Sequence, residues 1–420
     1  MNNKTLMVFT GWALLGGALP VMAQDECEVP DCPGFALSAN YAGDVRNNMT
    51  GGIKTGTAYS QLLTLGLDWS SDSLFSDARV TGSASVIYMG GDAISGDYVG
   101  DLQGINNIEA DAAWRLYEVW TEFAFGGNTT TLRAGVLDLN AEFDAPETLG
   151  LFVGSPHGIG TELSQTGSAG PSVWPITGLG IRAAGAWENG LSWRLGVYDG
   201  APGSADGTGF SDLHVSSDEG ALVIGELAYS SDRFNKISFG AWSYSAKFDR
   251  IDADLMANPL PQSGNQGFYA LIDMSLGEIG DTALDGALRV GNAKAQFNPV
   301  DHYVGAALTA SNFWAGRPDD ALGFAVAYAH MGDEYRATQA FAGASTTSAE
   351  VAYELVYSTN LTDWLAIKPG VQFVQHPGAD ASIENAWILG LRFEIVREHS
   401  WRLSARRGDE ADDSYARSTP

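Results

Sequence analysis

Apolar and polar residues alternate with a period of two through most of the chain after residue 34. Sixteen segments bounded by turn residues carry the alternation, near 35–44, 57–69, 78–88, 113–125, 131–139, 178–187, 191–199 and 220–230. The other eight lie near 235–245, 266–277, 283–292, 302–313, 321–331, 349–358, 364–375 and 386–396. In the second segment Tyr59, Leu63, Leu65, Leu67 and Trp69 share one face, and Ser60, Thr64 and Asp68 the other. In the last, Trp387, Leu389, Leu391, Phe393 and Ile395 oppose Gly390, Arg392 and Glu394. Such an apolar face would aggregate in water, whereas lipid requires it. Tyr59 and Trp69 are separated by roughly 33 Å of strand, or about 25 Å after tilting, the height of a membrane barrel's apolar band. They are expected in its two aromatic girdles.

The connections support the same architecture. After even-numbered strands they are short, as at Gly126-Gly127-Asn128 and Glu188-Asn189-Gly190. After most odd-numbered strands they are long: 89–112, 140–177, 200–219, 246–265 and 332–348. Short turns on one side and long loops on the other define an outer-membrane barrel, and an even strand count keeps both chain ends on one side. The expectation is therefore an all-β protein, a transmembrane antiparallel β-barrel of about 16 strands spanning 35–397. No fixed repeat indicates a β-helix. No run of 18 apolar residues follows the N-terminal segment, so helical membrane spans are excluded. The connection after Leu139 is rich in Gly, Ser, Thr and Pro, yet carries Phe143, Leu149, Leu151, Phe152, Trp174 and Ile176. Loops of that length are usually functional or disordered, and its apolar residues favour an ordered loop folded into the lumen as a constriction.

The first 23 residues read as a signal peptide, with Lys4, an apolar run from Leu6 to Leu19 and the small-residue ending Val21-Met22-Ala23. Residues 24–34 form a periplasmic leader in which Cys27 and Cys32 can close a small local disulfide. Two thiols alone make a poor zinc site. The net charge of −28 argues against nucleic acid as a partner.

The blocks DLQGINNIEA, RLYEVW, GVLDLNAEFD, GIGTELSQTG and GPSVWPITGLGIR resemble the carbohydrate-selective porin family of Gram-negative outer membranes, often called OprB. So do GVYDGAPG at Gly196–Gly203, GRPDDALGFAVAY at Gly316–Tyr328 and KPGVQFVQHPGAD at Lys368–Asp380. The resemblance extends from about Phe35 to Glu394. It implies facilitated diffusion of small mono- and oligosaccharides through a constricted, water-filled pore, without covalent chemistry, energy coupling or cofactors. The implied partners are small sugars, outer-membrane lipid and lipopolysaccharide, the outer-membrane assembly machinery and, in a homotrimer, two further copies.

Strand parity nominates the pore wall: Glu118, Trp120 and Glu122, then Arg133, Arg182, and Arg194 with Tyr198. Intervening Val119, Phe123, Ile181, Trp193, Leu195 and Val197 are apolar, and an Arg facing mid-membrane lipid would cost roughly 2–4 kcal/mol. Arg115 shares parity with Val119 and Phe123 and is expected to snorkel from the strand end. A sugar presents hydroxyls at its edge and C–H groups on its face. Arg forks, Glu acceptors and aromatic platforms complement it, although these charges can equally serve only to pair with one another.

In the long loop, Asp138, Asn140, Glu142, Phe143, Asp144 and Trp174 are constriction candidates, with loop anchoring as the alternative role. His157 with Ser155 and Ser164 lacks a G-x-S-x-G elbow and is no hydrolase signature. Six scattered His offer no paired metal ligands. The rival readings are a general or cation-preferring porin, a barrel enzyme and a structural surface protein. The chain departs from its relatives after Arg397, where the family usually ends on an aromatic residue; Phe393 or Trp401 would have to serve, and 398–420 reads as a disordered tail. Pro369 within a strand predicts a local bulge.

Overall fold

The structure, a computed structural model, describes residues 34–402 except 76–77, 127–128, 204–209, 212, 214–217 and 257–259. Sixteen strands close into one antiparallel barrel: β1 Gly34–Gly52, β2 Gly56–Phe75, β3 Ala78–Gly91, β4 Ala113–Phe125, β5 Thr130–Leu137, β6 Gly178–Ala186. They continue as β7 Leu191–Asp199, β8 Ala221–Tyr229, β9 Phe234–Tyr244, β10 Gln266–Ile279 and β11 Thr282–Ala293. The last five are β12 Val300–Ser311, β13 Ala321–Met331, β14 Ala349–Thr362, β15 Leu365–Gln375 and β16 Glu384–Arg402. Each pairs with its neighbours in sequence, and β1 against β16 closes the ring, so no strand edge is left unpaired.

The alternation has its expected consequence. Trp387, Leu389 and Leu391 stand on the outer face of β16 while Ile388, Gly390 and Arg392 turn inward and are buried. Tyr59 and Trp69 lie on the outer face at opposite ends of β2, where Tyr59 shares a 2.6 Å hydroxyl contact with Tyr41 of β1.

The hydrophobic core lies within the barrel, between the wall and two loops that fold inward. Loop A (residues 92–112) joins β3 to β4, and loop B (residues 138–177) joins β5 to β6. Loop B carries two one-turn helices, α1 (Ser155–Gly158) and α2 (Thr161–Ser164), and a third helix, α3 (Asp333–Phe341), lies in the connection after β13. Phe143, Leu139 and Leu163 of loop B pack on Tyr198, Ile224, Trp242 and Tyr269 of the wall. Its Leu149, Phe152 and Val153 pack on Ala287, Ala307 and Ala325, which are register partners on β11, β12 and β13. That row of single methyls leaves room for the loop's larger side chains. Ile94, Val99 and Ile105 of loop A fill the space against Val374, Ala386 and Ile388.

Three expectations need correction. First, β16 runs to Arg402 in register with Gly34 of β1, so 398–402 is strand rather than tail. Second, Pro369 makes no bulge. Its pairing with Leu391 is regular, and on the β14 side the ladder lapses between Val356–Gly370 and Thr359–Ile367 without a change of register. One missing N–H removes a bond but inserts no residue. Third, Arg115 is buried opposite the inward-facing Ile87 rather than snorkelling. A bulge leaves Tyr117 unpaired between Glu118↔Ser85 and Leu116↔Val86, so Tyr117 and Glu118 both turn inward and the parity of everything before them flips. The signal peptide, Cys27, Cys32 and residues 403–420 lie outside the described residues.

Candidate functional site

Loop B is held by wall side chains that satisfy its backbone. Arg289 of β11 ion-pairs with Asp144 (Nε–Oδ1 2.9 Å) and donates to the carbonyls of Asp144, Pro156 and Gly158. Tyr303 of β12 adds a 2.7 Å bond to Pro156. Asp273 of β10 accepts from the amide and hydroxyl of Thr148 at 2.8 and 2.6 Å. Glu354 of β14 accepts from the amides of Val153 and Gly154 at 2.8 and 2.9 Å. A loop buried in a lumen must find partners for its polar backbone groups, and charged wall residues supply them.

Loop A is tied down at the adjoining stretch of wall, β14 to β16. Glu350 of β14 accepts from the amides of Leu102 and Gln103, Gln372 of β15 donates to Ile105, and Arg392 of β16 reaches Asn106 at 2.6 Å. The two loops bond directly to each other through Ser155 N–H to Gly104 and Asn107 N–H to Val153. Together they form one partition across the lumen.

A belt of charge lies along the wall at loop B. Glu122, Arg133, Arg182, Arg194, Glu226, Lys236 and Asp273 come from seven successive strands, β4 to β10. Glu122, Arg133 and Arg182 are direct register partners, as are Arg194 with Glu226 and Lys236 with Asp273. Glu142 of loop B closes onto the belt, 2.9 Å from Arg133, 2.5 Å from Arg182 and 3.9 Å from Arg194. Arg194 and Lys236 share Glu226 at 3.3 and 2.8 Å. Trp120 lies flat under Arg133, its ring centre 3.7 Å from the guanidinium carbon.

Every inward residue nominated from parity faces the lumen: Glu118, Trp120, Glu122, Arg133, Arg182 and Tyr198 are buried there, and the Arg194 side chain keeps 29% of its surface. The loop candidates divide differently. Phe143 and Asp144 are fully buried, Asn140 bonds the carbonyls of Phe143, Asp144 and Gly158, and Trp174 packs beside Tyr117 and Ile108. These four hold the loop's shape. Asp138 and Asn140 also line a recess with Asn107, Tyr117, His157, Leu149 and Phe152.

Tyr117 escaped sequence reasoning because the bulge turns it inward, where its hydroxyl donates to Asp138. Arg289, Asp273 and Glu354 escaped it because their role is defined by loop atoms more than a hundred residues away.

The loop carboxylates differ in charge state. Burial works against ionisation of Glu142, but Arg133, Arg182 and Arg194 outweigh it and hold the group down at about 2. Burial pushes Asp138 up to about 6, against the bonds it accepts from Tyr117, Asn140, Ala141 and Trp174. Burial likewise lowers His157, opposed by the nearby Glu354 carboxylate.

One group of metal-capable side chains occurs among the described residues, Asp301, His302 and His330, and it lies away from the lumen. It overturns the expectation that no His are paired: 302 and 330 are register partners.

A closed sixteen-strand barrel, with a long loop folded inside and a charged belt facing it, is the architecture of a porin. The chain belongs to the carbohydrate-selective porin, OprB family, whose pattern matches residues 54–396. Porin B of Pseudomonas aeruginosa is 21% identical over 405 residues, covering 86% of this chain and 87% of that protein. The putative porin QuiX of Acinetobacter baylyi is also 21% identical, over 401 residues covering 86% and 89%. The high-pH structure of Pseudomonas putida OprB superposes with a TM-score of 0.76 at 19% identity, over 87% of this chain and 94% of that one. This chain is therefore an outer-membrane carbohydrate porin, a channel rather than an enzyme.

Proposed function

We propose that mono- and oligosaccharides cross by facilitated diffusion along the belt formed by Glu122, Arg133, Arg182 and Arg194, with Glu118, Trp120 and Tyr198 supporting it. The observation that carries this reading is Glu142, which joins loop B to three arginines at the wall. Donors and acceptors are thereby fixed in advance, so little ordering cost falls on the passing sugar. Arg194 and Lys236 keep exposed donors after their mutual pairing through Glu226. The recess adds polar side chains of Asn107, Asp138 and Asn140 beside apolar Leu149 and Phe152, a mixture that suits the hydroxyls and C–H groups of a sugar. Passage needs no cofactor and no energy input.

The outer apolar face meets lipid and lipopolysaccharide, the C-terminal strand is what the assembly machinery would engage, and a homotrimer would bury part of the same face. The test is ion current through the folded protein in a planar bilayer, titrated with glucose and with disaccharides. A saturable fall in current supports the reading, and current indifferent to sugar defeats it.

A second reading is cation preference. Burial raises Glu147 of loop B, and repulsion from the Asp273 and Asp285 carboxylates of the wall adds to it. Reversal potentials in a salt gradient separate the two.

A further inference from the structure

We propose that the outer rim of β12 and β13 carries a binding site for a first-row divalent metal ion of the zinc, nickel or copper kind, made by His302, His330 and Asp301. The two imidazoles sit directly opposite each other across the strand pair. Both belong to the outward-facing set, with Val304 beside His302 and Tyr328 beside His330. His302 is the third residue of β12 and His330 the penultimate residue of β13, at the end where the long connections emerge.

Three donor atoms converge there. Nδ1 of His330 lies 2.7 Å and Nδ1 of His302 3.0 Å from the same Asp301 oxygen, and all three ligand atoms fall within 4.8 Å of one another. Tetrahedral bonds of about 2.05 Å set ligand atoms about 3.3 Å apart, so the two nitrogen–oxygen edges need to open by only about half an ångström to admit an ion. Two imidazoles in three donors favour zinc, nickel or copper over calcium or magnesium, which take oxygen.

The supporting groups are also in place. Asn292, the register partner of His302 on β11, donates to the Asp301 carbonyl at 2.9 Å. His302, His330 and Asn292 are in regular strand register, and Asp301 sits at the irregularity between Val300 and His302 where the β12–β13 register shifts. The His302 side chain is 59% exposed, which leaves coordination positions open to water or to an oxygen ligand from the headgroup layer. The site lies outside the pore, so the ion would not block it.

The test uses the full-length folded protein in detergent, stripped of metal and with its cysteine thiols alkylated. It is titrated with Zn²⁺ by calorimetry and with Co²⁺ by visible absorption. The expected result is one equivalent per chain. His302→Gln or His330→Gln should each weaken binding at least tenfold, and the double variant should abolish it. His376→Gln should leave it unchanged. Ion conductance of every variant should stay at the wild-type value, which also shows that it has folded. No saturable binding by the wild type, or binding unaltered in the double variant, overturns the proposal and leaves the three side chains as a hydrogen-bonded clamp.

Discussion

Arg289 and Asp144 form an ion pair in which neither side chain has any surface open to solvent. The same guanidinium serves three carbonyls of loop B, so one wall residue fixes both the charge and the path of the loop. Removing one partner of such a pair strands the other charge, at about 3–5 kcal/mol. Arg289→Ala should therefore release loop B before it unfolds the barrel, whose ladder does not depend on that side chain. Single-channel conductance should rise and sugar block should weaken. A variant with wild-type conductance and block would show that the loop is held by its other contacts.

Gly291, two residues along β11, is required for a steric reason. A Cβ there would lie 1.6 Å from Oε1 of Glu162 in α2, which is itself buried. Gly291→Ala should push α2 off the wall and destabilise the protein by about 1–3 kcal/mol, as overpacking does. Combining it with Glu162→Ala should restore thermal stability. If the double variant is no more stable than the single one, the clash is not the cause.

Arg194 is the member of the belt whose loss should be read in transport. Its contacts are long and its side chain stays partly open, so Arg194→Ala disturbs the fold less than Arg133→Ala or Arg182→Ala, each of which removes one of the two buried arginines that Glu122 and Glu142 share. Hydrogen bonds to charged groups contribute about 1.5–3 kcal/mol. The sugar concentration for half-block should accordingly rise roughly tenfold or more, with the folded fraction unchanged. Equal block in the variant would place the sugar elsewhere.

The two loop carboxylates predict opposite responses to pH. Glu142 is held at about 2, below its ordinary value. Its anchoring is complete above the ordinary carboxylate range and is lost only as pH falls through about 2. Asp138 is raised to about 6. A raised carboxylate favours the folded loop below its ordinary value, and that contribution is lost as pH rises through about 6. Sugar block should thus survive acidification to pH 4, while amide protection around Asn140 should fall with a midpoint near 6 as pH rises. Asp138→Asn should remove that midpoint, and a midpoint that persists would assign it to another group.

Much of this was legible in the chain. Period-two alternation located the strands because a lipid-facing wall leaves little choice of residue at every second position, and Arg133, Arg182 and Arg194 fell inward for the same reason. The bulge at Tyr117 was not legible, since nothing in WRLYEVW marks which residue drops out of the ladder. The anchoring of loop B was hidden for a different cause: Val153 and Glu354 meet only through the closed barrel. His302 and His330, 28 positions apart, become neighbours only once the register of β12 and β13 is known.

The partition built from loops A and B also sets an order of events. Loop B takes most of its partners from β5 to β12 and only Glu354 from β14, whereas loop A takes Glu350, Gln372 and Arg392 from β14, β15 and β16. Until the final strands are in place, a growing barrel would have anchors for loop B but none for loop A. The partition would thus be completed only at closure, and a barrel that stalled before it would lack the half of the constriction that loop A supplies.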